Sequence, residues 1–298
     1  MISILIPIYN YDIRPLIAAL TEQAGLVERP YEINCIDDGS AWQYRKENKS
    51  VSNLANVRYK ELSTNVGRSR IRNLLAEQAR FDHLLFLDCD GMPIHQNYLA
   101  TYLNHLPSDQ ILVGGRQYES NPPPPSQVLH WKVGTKRESK LDVGFQSNNF
   151  LIKREIFLDI KFDELLIGYG HEDTLFGHEL RFKDLKICHI ENPVVHLGLE
   201  SSEIFLKKQE EAIENLVRLH SKYPGIHTKL SNFAAKIERY ELASIYRSWF
   251  QTMQSKLRAH LVGQRPSLVA LDLYKVGYYL SCKRDLQKDQ KVKPHGDF

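Results

Sequence analysis

No apolar run in these 298 residues reaches the roughly 18 that a membrane-spanning helix needs. The N-terminal apolar stretch lacks a basic flank and soon meets Pro7 and Asn10, unlike a signal peptide. Cysteine is scarce: Cys35, Cys89, Cys188 and Cys282 form no CxxC pair. Two of them lie inside apolar strand-like runs, where a thiol acts as a small hydrophobe, which argues against a zinc site or disulfide framework and for a reducing compartment. Neither sign of charge dominates at +3 overall, and no nucleic-acid reading motif occurs, so no nucleic-acid partner is expected. Internal repeats are lacking as well. Hydrophobic residues at 42% and charged residues at 25% are ordinary for a globular protein with a sizeable core. The expectation is a cytoplasmic enzyme.

What is there begins with Leu84-Leu85-Phe86-Leu87-Asp88-Cys89-Asp90-Gly91. An apolar run of this length reads as a strand buried on both faces of a sheet. Open α/β sheets bind ligands beyond the carboxyl ends of their strands, and two carboxylates beside a flexible glycine there can hold a hard divalent cation near a phosphate. A plain polar turn explains the same residues.

Two other strands end in polar loops. Ile2 to Ile8 runs into Tyr9-Asn10, and Tyr31 to Ile36 runs into Asp37-Asp38-Gly39-Ser40. Helical spacing is expected over 13–24 and 69–79, and strands over 57–62 and 111–114. This alternation of strand and helix over about 115 residues predicts a doubly wound α/β sheet. Four prolines from Pro122 to Pro125 break it, and the following twenty residues read as a loop, either inert or a substrate lid. Order returns at Phe145, and Gly168-Tyr169-Gly170-His171-Glu172-Asp173 then opens a helix. Acids in a first helical turn suit the macrodipole. A carboxylate fixed at a helix start beneath a flexible glycine loop equally suits a general base. His196 ends a short strand after Val194-Val195 and could face the same cleft.

Taken together, these pieces resemble family 2 glycosyltransferases of GT-A fold. Ile6-Pro7-Ile8-Tyr9-Asn10 resembles the opening strand, and Ile36-Asp37-Asp38-Gly39-Ser40 the nucleotide-base loop. Asn65-Val66-Gly67 with Arg72-Asn73 is similar to the family's N-x-G and A-R-N helix, with Ile71 where Ala is usual. Asp88-Cys89-Asp90 resembles the DxD motif. Phe162-Asp163-Glu164 and Gly168 to Asp173 resemble the closing F-D-E and G-x-G-x-E-D segments, the latter in the manner of a galactosyltransferase-like branch.

The resemblance implies a GT-A nucleotide-binding mixed sheet flanked by helices, with a nucleotide-sugar half over about 1–115 and an acceptor half over about 116–200. It implies an inverting transfer from a nucleoside-diphosphate sugar, UDP-linked, to a glycan or lipid-linked acceptor in surface polysaccharide synthesis. Pro7, Tyr9, Asn10, Asp37, Asp38, Asn65, Gly67, Arg72 and Asp88 would hold the nucleotide sugar. Asp90, Asp88 and His196 would hold Mn²⁺ or Mg²⁺, the imidazole favouring manganese. Asp173 would be the general base and Glu172 would position hydroxyls, while Asn148 and Asn149 are placed to touch a sugar. Two alternatives stand beside this: a sugar-1-phosphate nucleotidyltransferase, against which the Pro-Ile-Tyr-Asn first loop speaks, and a non-catalytic binding or scaffolding subunit.

Residues 1–200 hold about 22 basic and 26 acidic side chains, and 201–298 about 17 and 10. The C-terminal third reads as helices broken near Pro224-Gly225. Its last helix, over about Leu268 to Leu280, reads as packed on the enzyme, as a homodimer contact, or as a basic and aromatic peripheral membrane contact at the inner face of the cell membrane.

Overall fold

A computed structural model describes residues 1–107, 109–140, 144–166, 168–223 and 225–292. The chain packs as two compact units that are discontinuous in sequence. One takes residues 1–120, 134–166 and 172–199; the other takes 121–133, 168–171 and the chain from Glu200 onward.

In the first unit the strands are β1 (Ile2–Ile8), β2 (Tyr31–Asp37), β3 (Val57–Glu61), β4 (His83–Leu87), β5 (Gly91–Pro93), β6 (Ile111–Val113), β7 (Arg116–Gln117), β8 (Asn149–Lys153), β9 (Ile187–His189) and β10 (Val194–His196). The helices are α1 (Arg14–Gly25), α2 (Trp42–Asn48), α3 (Arg68–Gln78), α4 (Tyr98–Asn104), α6 (Arg154–Ile160) and α7 (Glu172–Phe182), with α5 (Val128–Val133) in the second unit. Among the described residues one sheet has seven strands in the order β3-β2-β1-β4-β8-β6-β9, and a second has three in the order β5-β10-β7.

The central strands follow from their sequences. β1 and β4 are apolar almost throughout because α/β packing buries both their faces. On one face Ile4, Ile6 and Ile8 meet Ile17 and Leu20 of α1 and Leu99 of α4. On the other, Leu5 and Phe86 meet Leu75 of α3, Phe157 of α6 and Phe176 of α7. Phe86 and Phe150 stack across β4 and β8 with centroids 4.7 Å apart. Each fully buried aromatic of this kind contributes roughly 1.5–3 kcal/mol.

The sheet is not doubly wound throughout. β1, β2, β3 and β4 are parallel, but β8 enters antiparallel between β4 and β6. A buried polar knot pins it there. The Asn149 amide oxygen accepts from the Tyr98 and Tyr102 hydroxyls at 2.8 and 2.7 Å, and its nitrogen donates to the carbonyls of Gly115 and Asn192. Gly114 lies so close that a Cβ would stand 2.3 Å from the Tyr102 hydroxyl. The expected sugar contact at Asn149 therefore gives way to a structural role: every polar atom of its side chain is engaged inside the fold.

The stretch after the four prolines is also not the expected loop. It forms a 3-10 turn over Pro125–Gln127, then α5, then a turn of π-helix over Gly134–Glu138. Residues 141–143, at the end of that expected loop, lie outside the described ones.

The second unit is helical: α8 (Ser202–Lys222), α9 (Lys229–Arg239), α10 (Ala243–Val262) and α11 (Leu268–Val292). Ser201 caps α8, and a reciprocal Thr228–Ser231 box caps α9. The expected break at Pro224 lies outside the described residues; α8 ends at Lys222. Most of the apolar run of α11 is buried in this unit's own core, with Val269 and Leu273 exposed. Leu271 and Tyr274 meet Phe205 and Phe250, and Val276, Tyr279 and Leu280 meet Ile213 and Leu216. No helix among the described residues is long and apolar enough to cross a membrane.

Candidate active site

Three loops beyond the carboxyl ends of β1, β2 and β4 build the site. At β1, Tyr9 is 54% exposed. Asn10, at φ +50°, donates its backbone N–H to the Ser40 hydroxyl at 2.8 Å and accepts from the Ala41 N–H at 2.8 Å, which ties the first loop to the second. Pro7 lies within β1, half-buried.

At β2 the adjacent acids behave differently. Asp37 is fully buried; its oxygens accept from the Ser40 N–H at 2.7 Å and the Tyr59 hydroxyl at 3.2 Å, so it shapes the loop. Asp38 accepts from the Val66 and Gly67 N–H groups at 2.7 and 3.0 Å, which fixes the entry to α3. Burial raises its pKa against those two bonds, and the Asp37 charge adds to the rise. Each carboxylate oxygen carries a second lone pair, so Asp38 retains capacity for a ligand N–H. Gly39 at φ +72° permits this turn, since a Cβ would stand 2.9 Å from the Asn65 backbone nitrogen. Gly67 precedes α3 at φ +88°, and Asn65 is exposed beside it.

Arg72 is 2% exposed and its guanidinium meets Asp88 at 2.6 Å. A second donor reaches the Arg68 carbonyl at 3.1 Å, so Arg72 orients Asp88 from beneath the surface. Asn73 holds both the N–H and the carbonyl of Phe162, and with Arg70 it grips Glu164. The 162–164 segment thus serves to fasten α3.

The small sheet decides the surroundings of Asp90. β5 continues directly from the β4 loop and pairs antiparallel with β10, which sets His196 opposite Gly91. The His196 Nδ1 lies 3.4 Å from Asp90. The Leu197 N–H donates to the Asp90 carbonyl at 2.8 Å, and a Cβ on Gly198 would stand 2.2 Å from the Asp90 carboxylate. Burial opposes ionisation of Asp90, but the His196 bond and the charges of His196, Arg116 and Arg68 outweigh it and pull the pKa down to about 2.

Asp173 opens α7. One of its oxygens accepts from the Thr174 N–H at 2.7 Å, and the neighbouring Glu172 is buried and 3.4 Å from the Arg68 guanidinium. Burial and the Glu172 charge lift Asp173 to about 6, with the Thr174 bond and the Arg116 and Arg68 charges holding it from rising further.

Arg68 and Arg116 escaped the sequence reading, although both act on Asp90 and Asp173. Arg68 lies one residue past the Asn-Val-Gly motif, and Arg116 stands on β7, which is joined to β10 only by tertiary pairing. Arg116 is held by Glu138 at 3.4 Å, and Glu138 also accepts from the Tyr118 hydroxyl at 2.6 Å. The Tyr118 ring lies against Gly134, where a Cβ would stand 2.2 Å from it. The Gly168 to His171 segment is packed rather than flexible in its own unit. The Tyr169 carbonyl accepts from Asn215 at 3.1 Å, and a Cβ on Gly170 would stand 2.6 Å from that of Ala212.

Among the described residues no group of three or more His, Cys, Asp or Glu side chains converges on one point. Asp88 is ion-paired to Arg72, so the donor set is Asp90 with His196. A carboxylate beside an imidazole is a donor pair that could hold a divalent cation such as Mn²⁺ or Mg²⁺.

Residues 3–163, more than half of the chain, match the model of "Glycosyl transferase family 2". Among solved structures, the chain is similar to the mannosyltransferase PcManGT from Pyrobaculum calidifontis in complex with GDP-Man and Mn²⁺, at 15% identity and TM-score 0.54, covering 97% of this chain and 87% of that one. It is also similar to S. aureus TarS 1-349 in complex with UDP-GlcNAc, at 18% identity and TM-score 0.49, covering 97% and 92%. No curated protein matches the chain.

Proposed function

Because the chain belongs to glycosyl transferase family 2, and is on that ground a glycosyltransferase of GT-A fold, we propose that it moves a sugar from a UDP-linked donor to a hydroxyl of a glycan or glycolipid acceptor, with inversion and a divalent cation. The observation that carries this is the placing of Asp90 against His196 at 3.4 Å and of Asp173 at the start of α7 beside Glu172, with Arg68 and Arg116 acting on both: His196 and the arginines favour the ionised form of Asp90, while burial and Glu172 raise Asp173. Such a division suits one group to charge binding and the other to proton transfer near neutral pH.

In this reading residues 1–115 hold the donor and 116–200 meet the acceptor. Tyr9 stacks on the base and Asp38 accepts from its ring N–H. Asp90 and His196 would hold Mn²⁺ or Mg²⁺, with Asp88 beside them under Arg72. The bound cation supplies Lewis-acid stabilisation of the leaving nucleoside diphosphate. Asp173 takes the proton of the acceptor hydroxyl as its oxygen attacks the anomeric carbon from the face opposite the diphosphate. That single displacement inverts the configuration. Glu172 and Arg68 orient the groups around it. The similar mannosyltransferase structure is in complex with GDP-Man and Mn²⁺, which supports a nucleotide-sugar donor and a divalent cation.

Calorimetric titration of UDP, GDP and CDP, each with and without Mn²⁺, tests the donor class. Tight binding of UDP that requires Mn²⁺ is expected. Preference for GDP or CDP would overturn the UDP assignment, and metal-independent binding would overturn the role given to Asp90 and His196.

A further inference from the structure

The burial of α11 inside the helical unit leaves a different surface exposed. On α9, Lys229, Phe233, Lys236 and Tyr240 follow the i, i+4, i+7, i+11 spacing of one helical stripe and all four are exposed. The opposite face, with Leu230, Ala234 and Ile237, packs into the unit's core. A tight turn through Glu241, at φ +60°, leads into α10. There Leu242, Ile245 and Trp249 follow i, i+3, i+7 and are exposed as well, with Lys256 two turns on. The inward face of α10 buries Phe250 and Leu261. The exposures are large for apolar groups: 70% at Tyr240, 66% at Ile245 and 52% at Phe233. Single exposed apolar residues are ordinary, but five within seventeen residues, arranged on two linked stripes, form a surface that binds something.

Charge identifies the occupant. Residues 229–262 carry six basic side chains and two acidic ones. One of those acids, Glu238, is paired with Lys283 at 2.7 Å, and one of the bases, Arg258, is paired with Glu210 at 2.6 Å. Two-fold pairing of this surface with a second copy would bring like charges together, since an isologous interface sets a patch against itself. A bilayer with anionic headgroups has the opposite property: it attracts the lysines and arginines and accepts aromatic and aliphatic side chains at the headgroup boundary. We propose that α9 and α10 dock the protein on an anionic membrane surface through the Phe233–Tyr240 and Leu242–Trp249 stripes. The helices lie on the surface and do not cross it.

The test is co-sedimentation of the full chain with vesicles of phosphatidylcholine alone, or of an equimolar mixture with phosphatidylglycerol. The mixed vesicles should bind the protein, the neutral ones should bind it far less, and high salt should weaken the association. The double variants Ile245→Ser with Trp249→Ser, and Lys229→Glu with Lys236→Glu, should each lower binding at least about tenfold, through lost apolar insertion and reversed charge respectively. Circular dichroism and thermal melting of both variants check the fold, and the second pair changes only exposed stems. Failure of mixed vesicles to bind, or binding unaltered in both variants, overturns the proposal. A concentration-dependent dimer in analytical ultracentrifugation that the Ile245 and Trp249 changes dissolve would assign the surface to a second copy instead.

Discussion

The end of β4 and the start of α7 each present a carboxylate to the guanidiniums of Arg68 and Arg116, yet the two titrate in opposite directions. Both suffer the cost of burial. Asp90 also faces His196, and the hydrogen bond and charge of that ring bring it down to about 2. Asp173 instead adjoins Glu172, whose charge repels a second negative one and helps raise it to about 6. The same arginines therefore lie near one carboxyl held ionised and one raised toward neutrality, and one adjacent side chain on each makes the difference. Arg68 and Arg116 act on both carboxylates, whereas His196 acts on Asp90 and Glu172 on Asp173.

The largest effect expected on this pair is at Asp173. Asp173→Asn should reduce transfer about a thousandfold, as loss of a general base does, while UDP binding stays within about twofold. Single-turnover rates beside calorimetry check it; normal turnover would remove Asp173 from the reaction. Next, His196→Ala should weaken Mn²⁺-supported nucleotide binding about ten- to a hundredfold and leave metal-free binding unchanged. Equal losses with and without metal would show the ring acting by packing alone.

A smaller effect sharpens the comparison through pH. With Asp173 as the proposed base, kcat/KM should fall as pH drops through about 6. Glu172→Gln removes a charge that raises Asp173, and its acid limb should move to lower pH. Arg116→Met removes one that lowers it, and its limb should move to higher pH. Shifts in the same direction for both variants would contradict the electrostatic account. The smallest activity change is expected from Gly39→Ala, whose cost is stability: a Cβ at φ +72° against the 64–65 backbone should cost about 1–3 kcal/mol in denaturant unfolding.

Much of the first unit was legible because its signals are local. The buried strands through Leu5 and Phe86 read as apolar runs, and the turns after them read as Asp, Asn and Gly clusters whose hydrogen bonds close within a few residues, as Asp37 does onto Ser40. Family membership was legible for the same reason, since its motifs lie in those loops. Less was legible in helices. The apolar residues of α11 near 274–280 left packing on the enzyme, a homodimer contact and a membrane contact all open, because an apolar run does not say which neighbour covers it.

By itself, then, the sequence determined the alternation of strands and helices, the loops at their ends, and the acids those loops carry, because period, turn chemistry and glycine conformation act over a few residues. Only tertiary structure decided that β8 enters antiparallel under the Asn149 knot, that β10 brings His196 against Asp90, and that β7 brings in Arg116. Those outcomes depend on pairing between segments some twenty to a hundred residues apart, where chain connectivity and packing choose the partner. The titration of Asp90 and Asp173 depends on the same choice, because a carboxylate takes its pKa from the charges that folding sets beside it.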